Sequence, residues 1–117
     1  MDKKDWRWLP HPAHFICADR CQFVLATEVG GYLVSTVGEF VSNPIKVGQF
    51  EEIGFNRRYE TMVYKSLKSE NLCCEYEADI SSGDLDMNGY NSAKAAYQGH
   101  IALCNKWSKH DQQTDDN

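Results

Sequence analysis

The sequence predicts an α+β fold: a small antiparallel sheet containing a β-hairpin, packed by one C-terminal helix. Three observations lead there. Two β-rich runs flank Gly30-Gly31, a third covers 58–66, and apolar residues recur at three- and four-residue spacing near the C-terminus.

The hairpin gives the clearest local signal. From Gln22 to Val29 the chain alternates, with Phe23, Leu25, Thr27 and Val29 on one face and Val24, Ala26 and Glu28 on the other. Tyr32 to Val37 follows a two-residue loop in which both glycines tolerate positive φ, as a primed hairpin turn requires. That register sets Val29 opposite Tyr32, Thr27 opposite Val34 and Leu25 opposite Thr36. Gly38 is expected to end or bulge the second strand before Glu39. Arg58 to Ser66 reads as the third strand, with Tyr59, Thr61 and Val63 on one face and Met62 and Tyr64 on the other. Apolar residues on both faces suit a central strand. Asn43-Pro44 and Gly48 mark a loop, and Ile53 to Phe55 is broken by Gly54. The run around Cys73-Cys74 has no defined type, and Ser81-Ser82-Gly83-Asp84 is a turn.

The last element is a helix over 88–107, starting near Asp86 or Asn88 with that residue as N-cap. Tyr90, Ala93, Tyr97, His100, Ile101, Cys104 and Trp107 form its buried stripe. Gly99 weakens this helix or lets it approach the sheet closely. Residues 1–14, with Pro10 and Pro12 flanking His11, read as an extended arm. Trp6 and Trp8 share one face of it, for packing on the body or for an exposed contact. The expected organisation is a single domain over 1–110, with a disordered tail over 111–117.

At 117 residues and 42% hydrophobic, the chain suits one core. A domain of this length buries roughly two thirds of its unfolded surface. The net charge of −5 argues against direct nucleic-acid binding and suits a protein partner with a basic surface. From Ser69 to Ala93 there is no Lys or Arg, while Glu70, Glu75, Glu77, Asp79, Asp84 and Asp86 fall inside. This stretch is either solvated surface or a docking face for a cationic partner, with Trp6 and Trp8 as further contacts. No apolar run is long enough to span a membrane. Met1 to Trp8 is charged without an apolar segment behind it, unlike a signal peptide, so the cytoplasm is the expected location. Five cysteines there read as thiols or ligands before disulfides.

His100 and Cys104 lie one helical turn apart on the apolar stripe. Imidazole and thiolate both bind zinc, and Cys73 or Cys74 with one of Cys17, Cys21, His11 or His14 would complete a tetrahedral site. There is no Cys-x-x-Cys pair, so core packing without a cofactor is the simpler reading and a structural zinc the alternative. A Cys–His catalytic pair is a second alternative, with no recognisable signature. Asp84 and Asp86 read as caps before they read as acid–base groups. Arg57-Arg58 reads as a turn leading into the third strand, or as a contact for phosphate or carboxylate.

Several strings together span most of the chain: Trp6-Arg-Trp-Leu-Pro-His-Pro-Ala-His-Phe15, Val29-Gly-Gly-Tyr-Leu-Val-Ser-Thr-Val-Gly-Glu39, Arg58-Tyr-Glu-Thr-Met-Val-Tyr64 and Gly99-His-Ile-Ala-Leu-Cys104. As a set they resemble a family of small uncharacterised phage and prophage proteins. Members often carry two cysteines, separated by one residue, upstream of the Gly-His-x-x-x-Cys helix. Here Cys73 and Cys74 are adjacent, which bears on any shared metal site. The resemblance implies a phage accessory protein in the bacterial host cytoplasm. It would be a non-enzymatic binder that inhibits a host defence, in the manner of an anti-CRISPR protein, or another nucleic-acid-handling complex.

Overall fold

The computed structural model describes residues 6–9, 21–40, 57–68 and 76–109. They form a curled antiparallel sheet packed against one C-terminal helix, an α+β fold. The strands are β1 (Trp6–Trp8), β2 (Cys21–Val29), β3 (Tyr32–Phe40), β4 (Tyr59–Lys68), β5 (Tyr76–Ala78) and β6 (Asp86–Tyr90). Helix α1 spans Ala93–Ser108.

The β2–β3 hairpin has the expected register: Val29 faces Tyr32, Thr27 faces Val34 and Leu25 faces Thr36. Gly30 and Gly31 both take positive φ, 60° and 101°. The neighbouring Glu28 carboxylate is buried and braces this turn, accepting from the Gly31 amide at 2.7 Å and the Ser66 hydroxyl at 3.2 Å. β4 is central, pairing with β3 on one side and with β5 and β6 on the other. β5 and β6 lie end to end along β4. Between them residues 79–85 stand opposite only 64 and 65 and loop out through a 3-10 turn at Ile80–Ser82. The backbone amides of Asp79 and Leu85 pin the ends of this excursion to the carbonyls of Lys65 and Val63.

The sheet curls enough for its ends to approach. Arg7 on β1 lies over the ring of Tyr76 on β5, 5.9 Å from its centroid, although three strands separate them in the sheet order. Helix α1 packs on the face carrying Val29, Tyr32, Val34 and Val63, which with Cys104 form the main core, and Trp6, Leu103 and Trp107 close its margins. The opposite face buries Ala26, Leu33, Ser35 and Val37.

Three expectations are corrected. Gly38 does not end its strand, since β3 continues to Phe40. The glycine instead leaves room for the Tyr59 ring, which a Cβ at position 38 would overlap. Phe23 meets that ring edge-on, and the Tyr59 hydroxyl donates to Glu39, whose φ is +56°. Asp86 to Tyr90 is strand β6 rather than the start of the helix, and neither Asp86 nor Asn88 caps it. The cap is Ser92, whose side chain accepts from the Ala95 amide at 3.1 Å. The buried stripe therefore runs through Ala96, His100 and Cys104. Tyr97 is half exposed, and Tyr90 packs its ring from β6 against the bare backbone of Gly99, so that glycine does permit close approach. The cysteine pair 73–74, the breaker-rich stretch 42–55, most of the arm and the whole tail over 111–117 lie outside the described residues.

Because the Tyr59 ring occupies the space beside Gly38, Gly38→Ala is expected to destabilise the fold by about 1–3 kcal/mol, as overpacking does. Denaturant melts check this, and pairing the change with Tyr59→Leu should recover part of the loss.

Candidate functional site

Helix α1 brings His100 over the middle of the sheet, where it has no solvent exposure. Its Nε2 lies 2.8 Å from the Thr27 hydroxyl of β2 and its Nδ1 2.6 Å from the Thr36 hydroxyl of β3. Thr36 in turn lies 2.6 Å from the Thr61 hydroxyl of β4. The Cys104 thiol, one turn along the helix, bonds to Thr27. Thiol, hydroxyl, imidazole, hydroxyl and hydroxyl thus form one buried chain linking α1 to three strands. Register places it there: Thr36 faces Thr61, and Thr27 lies on the same sheet face one strand over.

A neutral imidazole has one donor and one acceptor nitrogen, so it satisfies this chain in either direction. Burial holds His100 down to about 4 and pushes the Cys104 thiol up to about 12. Both groups are uncharged at neutral pH. A reactive cysteine needs a stabilised thiolate, and Cys104 has the opposite environment. Both nitrogens of His100 are engaged, so a metal there would cost one of the threonine bonds. Among the described residues no group of three or more His, Cys, Asp or Glu side chains converges. Of the other proposed zinc ligands, Cys21 is buried beside Val37 and Val24, away from this chain. Cys17, Cys73, Cys74, His11 and His14 lie outside the described residues.

Trp8 lids the site. Its ring stacks on His100, with centroids 5.5 Å apart and planes at 30°, while its outer side leaves it 51% exposed. Trp6, on the same face of β1, packs against the main core, where its indole nitrogen is buried with no hydrogen-bond partner among the described residues. The two tryptophans share a face as expected, one sealing the core and the other straddling site and solvent.

The acidic candidates divide by environment. Asp86 is turned inward. Its carboxylate accepts from Lys106 at 2.8 Å, from the Trp107 indole at 3.1 Å and from the Met87 amide. Burial opposes its charge, but the bonds from Lys106 and Trp107 hold it below the usual value. Asp79 is occupied as the cap of the 3-10 turn, and bonds from Ser81 and Ser82 hold its carboxyl low. Glu77 and Asp84 are exposed, with no ion pair among the described residues. Asp84 is near enough to the half-buried Tyr64 to help raise that phenol, after burial itself. Glu70 and Glu75 lie outside the described residues. Arg57 and Arg58 are exposed at the start of β4. The Arg57 side chain runs over Gly89, and the Arg58 amide donates to the Tyr90 carbonyl.

The threonines are the site residues that sequence reasoning did not single out. The available signal was their placement: Thr27 and Thr61 fall on faces otherwise made of apolar or aromatic residues, where a hydroxyl needs a partner.

The histidine links stability to pH. Its unfolded value of 6.5 exceeds its folded value of about 4, so the unfolded chain takes up the proton first. Stability is full above 6.5, falls as pH drops through that window and levels off below the folded value, for a total loss of about 3 kcal/mol. Urea melts between about pH 6 and pH 5 should show a slope of about 1 kcal/mol per pH unit, absent in His100→Gln.

Comparison with known proteins returned no match to a family model, to a curated protein or to a solved structure.

Proposed function

We propose that the protein works by non-enzymatic binding, presenting the outer edge of its sheet over 76–90 to a basic surface on a partner protein. The carrying observation is the make-up of that edge. Glu77 and Asp84 stand exposed, and beside them Ile80, Leu85 and Met87 are 56%, 37% and 39% exposed. No Lys or Arg occurs in this stretch of sequence; Arg57 over Gly89 and Arg7 over Tyr76 reach its two ends from elsewhere, and Lys106 is paired with Asp86. Carboxylates around an apolar centre match a partner whose Lys and Arg surround apolar residues. The charge supplies encounter rate and orientation, and the apolar side chains supply affinity. Asp79 and Asp86 hold the edge in shape and are not contact groups in this reading.

The resemblance to small phage and prophage proteins supports a partner inside a bacterial host, in a defence or nucleic-acid-handling complex whose basic surface serves nucleic acid. An acidic protein seated there would block it. The sealed Cys104 and the uncharged His100 fit a protein without catalytic turnover. No helix among the described residues is long and apolar enough to cross a membrane.

Reversing Glu77 and Asp84 together to Lys leaves every described ion pair intact. It should therefore keep the melting temperature within a few degrees while abolishing salt-sensitive capture of host proteins by the immobilised chain. Equal capture by the wild type and the double variant at low salt would contradict the reading.

A further inference from the structure

The strand β1 has features that the binding reading does not use. It is three residues long, lies at the end of the sheet order and pairs with β2. Trp8 lies opposite Thr27, the residue whose hydroxyl bonds His100, and the Leu9 amide closes the pairing on the Ala26 carbonyl at 2.8 Å. Trp8 separates the imidazole from water on one side. Trp6 buries an indole N–H with no acceptor among the described residues, a cost that opening would relieve by hydration.

We propose that β1 is a strap that opens when His100 takes up a proton. The two threonine hydroxyls can accept from both N–H groups of an imidazolium, so hydrogen bonding does not forbid the charge. What is missing among the described residues is compensation. On the helix face of the sheet, Asp86 is paired with Lys106, and Lys65 is exposed at the hairpin end. Of the tyrosines on that face, Tyr59 bonds Glu39 at the far end of β3, and Tyr90 of β6 turns an uncharged hydroxyl against Gly99. On α1, Lys94 and Lys109 are exposed, and Cys104, which shares Thr27, is uncharged. Arg7, Glu28 and Glu60 alternate onto the opposite face. An imidazolium in this place must reach water. Displacing Trp8 with its three-residue strand disrupts less than moving the helix or the β2–β3 hairpin. Opening would uncover both tryptophans and the pairing edge of β2 at Thr27–Val29, turning a sealed edge into an adhesive one.

Linkage sets the size of the effect. With the open form titrating near the unfolded value and the closed form far below it, the opening constant should rise about tenfold per pH unit as the solution is acidified below about pH 6. The test is hydrogen exchange on the full chain, corrected for intrinsic rates, following the Leu9 amide against the Val34 amide of the hairpin. In the wild type the Leu9 opening constant should climb while that of Val34 stays lower and separate. In His100→Gln the Leu9 value should be flat. A flat wild-type response, a rise that persists in His100→Gln, or Leu9 and Val34 opening in step would each overturn the proposal. Trp8→Ala gives an independent arm if His100→Gln fails to fold. Without the lid, the His100 ring followed by NMR should titrate at least tenfold closer in proton affinity to a free histidine, and an unchanged midpoint would also overturn the proposal.

Discussion

A histidine with no solvent exposure must find partners for two ring nitrogens, and His100 finds them in hydroxyls from neighbouring strands, Thr27 of β2 and Thr36 of β3. Thr61 extends the chain to β4, and Cys104 joins it from one turn along the helix. This requirement fixes much else. It sets the rotation of α1, because only one helix face can present His100 and Cys104 together. It sets the height of α1 along the sheet, because the imidazole meets hydroxyls only where the threonines lie side by side. The apolar core of Val29, Tyr32, Val34 and Val63 then fills the space toward the hairpin end. Burial of apolar surface supplies most of the stability, while the polar chain selects one docking of helix on sheet from the many that apolar contact alone would tolerate.

The second structural theme is the division of the acids. A chain with net charge −5 could carry its carboxylates as uniform solvated surface, but here several are built in. Glu28 braces the glycine turn, Asp79 caps the 3-10 excursion, and Asp86 ties β6 to the end of α1 through Lys106 and Trp107. What remains at the outer edge of the sheet, among the described residues, is Glu77 and Asp84 with apolar neighbours. The excursion between β5 and β6 also interrupts that edge, which limits strand-to-strand aggregation and leaves side-chain contact as the route to a partner.

The parts legible in the sequence were those set by local periodicity. The Gly30-Gly31 turn with alternating flanks determines its own register, and the i, i+4 placement of His100 and Cys104 needs nothing but a helix. The two-sided apolar pattern of β4 marked it as central. What could not be read depends on contacts far apart in the chain. Asp86-Met-Asn-Gly-Tyr90 has weak strand propensity and is held extended by its ladder to β4. Tyr90 happens to fall three residues before Ala93, so it mimicked the helical stripe while packing on Gly99 from outside the helix. Gly38 looked like a breaker because its reason for being glycine, the Tyr59 ring, lies across the sheet. The histidine was legible as buried, but its threonine partners come from strands separated from it by 64 and 73 positions in the chain. That distance turned a suspected metal ligand into the centre of a hydroxyl network.

His100 is neutral and held at both nitrogens by threonine. Nitrogen-detected NMR of the ring tests this most directly. The predicted result is a single neutral tautomer at pH 7, with slowly exchanging ring and threonine hydroxyl protons and a charge that appears only near pH 4, where burial holds it. A ring that titrates near 6.5 with averaged tautomers would contradict the account, since it would place the imidazole in water rather than between Thr27 and Thr36.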